Sequence, residues 1–188
     1  MSKDDIRLNI PNLISLARLF SVPITVWLLI HAYYQAAFWI LLLACLSDAA
    51  DGFIAKQFNL QTELGGYLDP IADKALLVSV FVTLALNDQI YIWLAILVVF
   101  RDALIVLGVI LYQFLYQRLS MRPLLSSKIN TTAQFALSAL VMALAAFEYA
   151  APLAVFWLSV VVAATTVWSG ASYVFAWGRS VYAMEPGE

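Results

Sequence analysis

Long stretches without a single charged side chain are the feature that most restricts what this chain can fold into. Three examples are LFSVPITVWLLIHAYY after Arg18, AAFWILLLACLS before Asp48, and APLAVFWLSVVVAATTVWSGASYVFAW beyond Glu148. A helix needs about 20 consecutive apolar residues to cross the hydrocarbon core of a bilayer. Across the chain, 64% of the residues are hydrophobic and only 12% are charged. The sequence therefore predicts an integral membrane protein.

Six segments of this kind are long enough to cross a bilayer. They lie near 12–31, 36–56, 65–87, 90–116, 127–147 and 151–177. In lipid a backbone must satisfy its hydrogen bonds within the protein, and the sequence lacks the short alternating segments of a barrel, so the spans are predicted to be helices. We expect an all-α integral membrane fold with six transmembrane helices. It forms one domain over 1–188, with a short interfacial segment at 1–11.

The basic residues predict how the helices are oriented. The termini and the second and fourth connections carry Lys and Arg, whereas the first, third and fifth connections carry none. Because Lys and Arg accumulate on the cytoplasmic side, both termini are predicted to be cytoplasmic, in a bacterial cytoplasmic membrane. The net charge of -2 comes without a basic stripe. No nucleic-acid partner is therefore expected.

Four aspartates inside or beside these apolar segments are the strongest functional signal. Asp48 and Asp51 are three residues apart, and Asp69 and Asp73 are four apart, so each pair shares one face of its helix. Ionised carboxylates survive in such surroundings by pairing, by protonation or by binding cations. A cluster of oxygen ligands without His or Cys suits Mg²⁺ or Mn²⁺, and four carboxylates suffice for two ions.

A structural alternative is an ion-pair network with Lys56 and Lys74, although the four acids outnumber these bases. A divalent-cation transporter is a functional alternative, but the acids lie toward the cytoplasmic ends of their spans, whereas transport sites tend toward the midplane. Intramembrane prenyltransferases also hold a diphosphate through aspartates. They are longer proteins that lack the second half of the pattern found here.

The spacing of the acids resembles the signature of the CDP-alcohol phosphatidyltransferases. It reads Asp48-x-x-Asp51-Gly52-x-x-Ala55-Lys56, eight residues, then Gly65-x-x-x-Asp69-x-x-x-Asp73. The resemblance implies that Asp48, Asp51 and Asp69 bind metal ions. Asp73 would complete the metal site and act as the base that deprotonates the acceptor hydroxyl. CDP-diacylglycerol would be the donor, with a pocket formed by Gly52, Ala55, Lys56 and Gly65. Lys56 departs from the Arg that the family usually has at this position.

Three basic residues are candidates for binding the acceptor. Arg101 lies inside the fourth span, Lys128 begins the fifth, and Arg18 continues a polar stripe along the first. Either Arg101 or Lys128 could hold an acceptor phosphate. The alternatives are pairing with Asp102 for Arg101, a topology-setting charge for Lys128, and hydrogen bonding between helices for Arg18.

Three further segments resemble those of eukaryotic-type cardiolipin synthases: NIPNLISLAR, Arg101-Asp102 and SSKINTTAQ. Phosphatidylglycerophosphate synthases share much of this pattern but usually have Arg-Glu in the fourth span. The resemblance therefore favours phosphatidylglycerol as the acceptor over glycerol 3-phosphate. It also implies that the protein forms a homodimer and that membrane lipids surround it.

Overall fold

The structure of the chain is a computed structural model. It describes the backbone at 10–57, 63–116 and 125–182, and the side chains at 15–47, 72–108, 110 and 125–176. The described part contains six α-helices. They are α1 (Ile10–Ile30), α2 (Tyr34–Gln57), α3 (Glu63–Leu86), α4 (Ile92–Tyr116), α5 (Leu125–Ala146) and α6 (Pro152–Tyr182).

Each helix coincides with one of the six predicted segments, which confirms the all-helical prediction. The bounds of α1 to α5 lie within two residues of the predicted ones, while α6 continues to Tyr182 instead of ending at 177. Within the described residues, α5 and residues 152–176 of α6 are long and apolar enough to cross a bilayer. Residues 1–9 of the predicted interfacial segment at 1–11 lie outside the described part.

Many large apolar side chains are exposed on the outside of the bundle, while several polar side chains are buried inside it. Phe100 and Leu107 are largely exposed on α4, whereas Asn130 and Gln134 on α5 are fully buried. A water-soluble protein places its apolar side chains inside and leaves few large apolar patches exposed. An exterior of Trp, Phe and Leu around a partly polar interior is the arrangement expected of helices that contact lipid.

The core is built around α3, whose buried residues recur every three or four positions. This spacing places them on one stripe of the helix, packed against α1 on one side and α4 and α5 on the others. The stripe consists of Ala72, Leu76, Leu77, Val80, Phe81, Leu84 and Ala85. Asp73 and Lys74 lie beside this stripe, directly after Ala72.

Three helices end in the same way. Ala32, Asp88 and Glu148 adopt the left-handed conformation, with φ of 59°, 57° and 56°, two residues beyond the ends of α1, α3 and α5. The amide of the following residue then bonds back across five residues, as in a Schellman motif. These bonds are Tyr33 N to Leu28 O at 2.8 Å, Gln89 N to Leu84 O at 2.9 Å and Tyr149 N to Leu144 O at 3.0 Å.

The three turns lie at one end of the bundle. Asn87 Nδ2 donates to Leu29 O at 2.7 Å, which joins the end of α3 to the end of α1. A cavity of about 400 Å³ is lined by Asp88 and Tyr91 from the second turn and by Tyr149 from the third. The motif halves on α2 and α3 therefore lie toward the opposite end.

Candidate active site

An ion pair between α1 and α3 involves the last aspartate of the motif. Arg18 Nη1 donates a hydrogen bond to Asp73 Oδ1. The Arg18 side chain is 3% exposed, while that of Asp73 is 28% exposed. An arginine at this depth needs a charged partner, because an uncompensated buried charge is costly. The hydrogen bond between helices that sequence offered as the alternative for Arg18 is therefore present, and its partner is the predicted base.

Arg18 also faces α2. It lines a cleft of about 180 Å³ between α1 and α2, together with Ser21 from its own helix and Ser47 from α2. Ser47 directly precedes Asp48 in the chain. Arg18 thus lies between Asp73 on α3 and the part of α2 where the first half of the motif begins, so α1 links the two halves.

The rest of the motif is described only at the level of the helices. Asp48, Asp51, Gly52, Ala55 and Lys56 lie within α2, and Gly65 and Asp69 lie within α3. Their side chains are outside the described part. Among the side chains that are described, no three of His, Cys, Asp or Glu form a cluster suited to a metal ion. The convergence of the four carboxylates stays a prediction.

The donor set nevertheless fits a hard cation. Residues three and four apart on a helix share one face, so the registers of α2 and α3 each present two carboxylates together. All the candidate ligands are carboxylate oxygens, which Mg²⁺ and Mn²⁺ prefer. Asp73, the one member with a described side chain, is partly exposed rather than enclosed.

A second charged cluster is centred on Arg101 of α4. Its Nη1 donates to Asp102 Oδ1 at 2.7 Å, and its Nη2 donates to Ser127 Oγ at 2.9 Å and to Ser169 Oγ. The guanidinium lies 6.0 Å from the centre of the Tyr173 ring. Arg101 therefore joins α4 to both α5 and α6. The pairing with Asp102 that the sequence offered as an alternative is present.

Lys74 extends this cluster to α3. Its Nζ donates to Asp102 Oδ1 at 2.5 Å, so Lys74 and Arg101 share one carboxylate oxygen. Lys74 directly follows Asp73 in the chain. The cluster therefore lies one residue along α3 from the ion pair with Arg18. Lys128, the third acceptor candidate, is exposed and directly follows Ser127.

Residues of α6 in this cluster were not predicted from the sequence. Ser169 accepts from Arg101, and a Cβ on Gly170 would lie 3.6 Å from Arg101 Cγ. The small polar pair Ser169-Gly170 within a charge-free span was the available signal, because small and hydroxylated residues mark helix contacts in membranes.

Asn130, which lies in the segment SSKINTTAQ, joins two helices in the structure. Its Oδ1 is hydrogen bonded to Thr166 Oγ1 at 2.8 Å and to Thr165 Oγ1 at 3.0 Å. These bonds tie α5 to α6 one turn along α5 from Ser126 and Ser127. The segment therefore contains both Ser127, which accepts from Arg101, and a residue that joins α5 to α6.

An all-helical bundle with an apolar exterior and buried charged residues between its helices is typical of membrane proteins that carry a polar site inside the bundle. Residues 8–176 match the family model for CDP-alcohol phosphatidyltransferase. The chain belongs to the CDP-alcohol phosphatidyltransferase family, which confirms the resemblance drawn from the aspartate spacing, and it is a membrane protein.

Named relatives point to two products within this family. The human protein named cardiolipin synthase (CMP-forming) is 31% identical over 91% of this chain and 62% of its own length. The chloroplastic CDP-diacylglycerol–glycerol-3-phosphate 3-phosphatidyltransferase 1 of Oryza sativa is 34% identical over 70% of this chain and 45% of its own length. A Schizosaccharomyces pombe fusion of cardiolipin synthase with a mitochondrial hydrolase is 33% identical over 88% and 30%. The chain thus spans less than two thirds of the length of these relatives.

Proposed function

We propose that the protein transfers the phosphatidyl group of CDP-diacylglycerol to the hydroxyl of an anionic glycerol-phosphate acceptor and releases CMP. Phospholipid biosynthesis is the process to which this reaction belongs. The observation that carries the proposal is the ion pair of Arg18 with Asp73, which fixes a carboxylate at the position that the family signature assigns to the base. The family match over residues 8–176 supports the reaction class.

Asp73 receives the proton of the acceptor hydroxyl in this proposal. The hydroxyl oxygen then bonds to the phosphorus that carries the diacylglycerol, and the bond from that phosphorus to the oxygen of CMP breaks. A base must lie within hydrogen-bond reach of the proton that it removes. Arg18 contributes by holding the Asp73 carboxylate in one orientation, because a charge-assisted bond to a buried guanidinium is strong and directional.

Asp48, Asp51, Asp69 and Asp73 would hold two divalent cations, Mg²⁺ or Mn²⁺. When bound, these ions would neutralise the diphosphate of the donor and stabilise the charge that develops on the CMP phosphate. Gly52, Ala55 and Gly65 would let the nucleotide approach the backbone closely, since small residues leave room beside a helix. Lys56 would contact the nucleotide phosphates as a point charge, without the planar fork of an arginine.

Phosphatidylglycerol is the acceptor that we favour, which makes the product cardiolipin. Arg101 and Lys128 would bind its phosphate. The human and rat relatives named cardiolipin synthase each align with 91% of this chain. Glycerol 3-phosphate is the second candidate, because the Oryza sativa relative carries that acceptor in its name.

We further propose that all six helices cross a bacterial cytoplasmic membrane with both termini and the active site on the cytoplasmic side. The turns at Ala32, Asp88 and Glu148 share one end of the bundle, and none of the three connections contains Lys or Arg. That end is then external by the distribution of positive charge. A homodimer is proposed on the family resemblance.

The test is an assay of purified protein with CDP-diacylglycerol and Mn²⁺ or Mg²⁺. Phosphatidylglycerol, glycerol 3-phosphate and inositol phosphate are offered separately, and the lipid product is identified by mass spectrometry. Cardiolipin formation with stoichiometric CMP supports the proposal. Formation of phosphatidylglycerophosphate instead would identify glycerol 3-phosphate as the acceptor. The absence of CMP release with every acceptor would overturn the proposed function.

A further inference from the structure

The cluster of Lys74, Arg101 and Asp102 carries one more positive charge than it neutralises. Two cations bond to a single oxygen of Asp102, at 2.5 Å from Lys74 Nζ and 2.7 Å from Arg101 Nη1. Arg101 is 3% exposed and Asp102 is 7% exposed, so water screens this surplus poorly. A buried surplus of positive charge favours the binding of an anion. The anion would approach from the side of Lys74, whose side chain is about a third exposed.

Several polar groups in this cluster have no partner among the described residues. Asp102 Oδ2 and Arg101 Nε are both buried without a hydrogen bond. A guanidinium has five N–H donors, of which Arg101 uses three, and an ammonium has three, of which Lys74 uses one. Buried polar atoms without partners are rare in native structures and call for a ligand or water.

A ligand that satisfies these groups must combine two chemistries. Anionic oxygens are needed for the N–H groups of Lys74 and Arg101, and a hydroxyl hydrogen is needed for Asp102 Oδ2. A hydroxylated phosphate ester has both. The net charge of Arg101, Lys74 and Asp102 together is one positive unit, so the cluster attracts an anionic phosphate.

We propose that Lys74 contacts the phosphate of the glycerol acceptor, and that Asp102 is the positioning residue that holds Lys74 and Arg101 together for this contact. Asp102 Oδ2 accepts a hydrogen bond from the acceptor hydroxyl that does not react. Because Lys74 follows Asp73 in the chain, this contact holds the acceptor beside the proposed base. The inference rests on the proposed function and deepens it by adding two residues that the family signature does not contain.

The kinetic test compares Asp102→Asn and Lys74→Gln with the wild type, using phosphatidylglycerol and glycerol 3-phosphate in separate arms. Each variant should raise the KM of the acceptor by about tenfold or more and leave the KM of CDP-diacylglycerol within about twofold. Asp102→Glu should restore most of the acceptor affinity, since it keeps the charge. The double variant should lose little more than either single one, because the two residues act as a unit.

The deoxy analogue of phosphatidylglycerol, with propane-1,3-diol in place of glycerol, tests the bond to Asp102 Oδ2. The wild type should use it about tenfold less efficiently, and Asp102→Asn should discriminate clearly less, because a bond to a neutral acceptor is weaker. A wild type that uses both lipids equally well would overturn the hydroxyl contact.

Asp88→Asn is the matched control, since it makes the same chemical change in the turn at the other end of the bundle. Its kinetics should equal those of the wild type. Asp102→Asn and Lys74→Gln variants that raise both KM values equally, or that lower kcat alone, would overturn the inference and indicate a structural role.

Thermal shift separates the failure of this inference from the failure of the proposed function. Glycerol 3-phosphate should raise the Tm of the wild type and of Asp88→Asn, but not that of Lys74→Gln, whether or not turnover occurs. Equal shifts in all three proteins would overturn the contact with Lys74 even if the enzyme makes cardiolipin.

Discussion

Arg18 and Asp73 lie 55 residues apart in the chain, and their side chains form an ion pair where α1 packs against α3. We expect Arg18→Gln to lower kcat by about 10²-fold, because loss of a positioning partner commonly costs that much when it holds a reacting group. Arg18→Lys should recover only part of the rate, since an ammonium lacks the directional fork of a guanidinium. The measurement is the rate of CMP release at saturating substrates.

An unchanged kcat in Arg18→Gln would show that the ion pair between Arg18 and Asp73 does not contribute to catalysis. Arg18 is deeply buried, so a loss of rate could also come from misfolding. The Tm and the elution volume of each variant therefore accompany the kinetics. Ser21→Ala, one turn along α1, is the control, because it removes only a hydroxyl that bonds to the Arg18 carbonyl at 2.6 Å.

Asp73→Asn is expected to abolish turnover, because an amide cannot accept the proton of the acceptor hydroxyl. The substitution keeps the volume of the side chain and an oxygen for Arg18. CDP should therefore still raise the Tm of the variant, which is measured beside CMP release. Turnover at a near-normal rate in Asp73→Asn would remove Asp73 as the base.

Removal of divalent cations is expected to stop the reaction, since all four proposed ligands are carboxylates that need cations to hold a diphosphate. EDTA should abolish CMP release, and an excess of Mn²⁺ or Mg²⁺ should restore it. Ca²⁺ should restore less, because its larger radius and looser coordination suit two-metal phosphoryl transfer poorly. Full activity in EDTA would contradict the metal requirement.

The helices could be predicted from the sequence because long, mostly apolar segments indicate their approximate lengths. Tyr116 ends the fourth helix at the predicted residue, and the ends of α1 to α5 agree within two residues. The extension of α6 to Tyr182 could not be predicted in this way. Arg179 lies in that extension, and hydropathy alone ends a span before such a charge.

The polar contacts were predictable only in part. The pairing of Arg101 with Asp102 was a stated alternative because the two are adjacent, whereas Ser169 lies 68 residues from Arg101 and has no distinctive sequence context. The pairing of Arg18 with Asp73 depends on how α1 and α3 pack, which periodicity does not encode. Asp48, Asp51 and Asp69 stay predictions, because their side chains lie outside the described part.

Ala32 adopts φ of 59° in the turn after α1, a conformation that suits glycine. We expect Ala32→Gly to stabilise the protein by about 0.5 to 1 kcal/mol, because the strain of a Cβ in the left-handed region exceeds the entropy cost of glycine there. Ala164→Gly, at an exposed position inside α6, is the control and should destabilise by a similar amount. Both are measured by thermal unfolding in detergent, and a lower Tm for Ala32→Gly would contradict the turn geometry.

Asn130 and Gln134 lie one turn apart on the buried face of α5, yet substitutions there should have opposite effects. Asn130 Oδ1 accepts hydrogen bonds from Thr165 and Thr166, while Asn130 Nδ2 is buried without a partner among the described residues. Both amide atoms of Gln134 are buried without a partner among these residues. Removing the Asn130 amide loses the two hydrogen bonds that its oxygen accepts, while replacing the unsatisfied Gln134 amide with an apolar side chain of similar volume removes a desolvation penalty. Asn130→Leu should therefore lower stability by about 1 kcal/mol, and Gln134→Met should raise it by about 1 to 3 kcal/mol. Thermal unfolding of the two variants in the same detergent decides this, and a destabilised Gln134→Met would mean that the Gln134 amide is satisfied by bound water within the membrane domain.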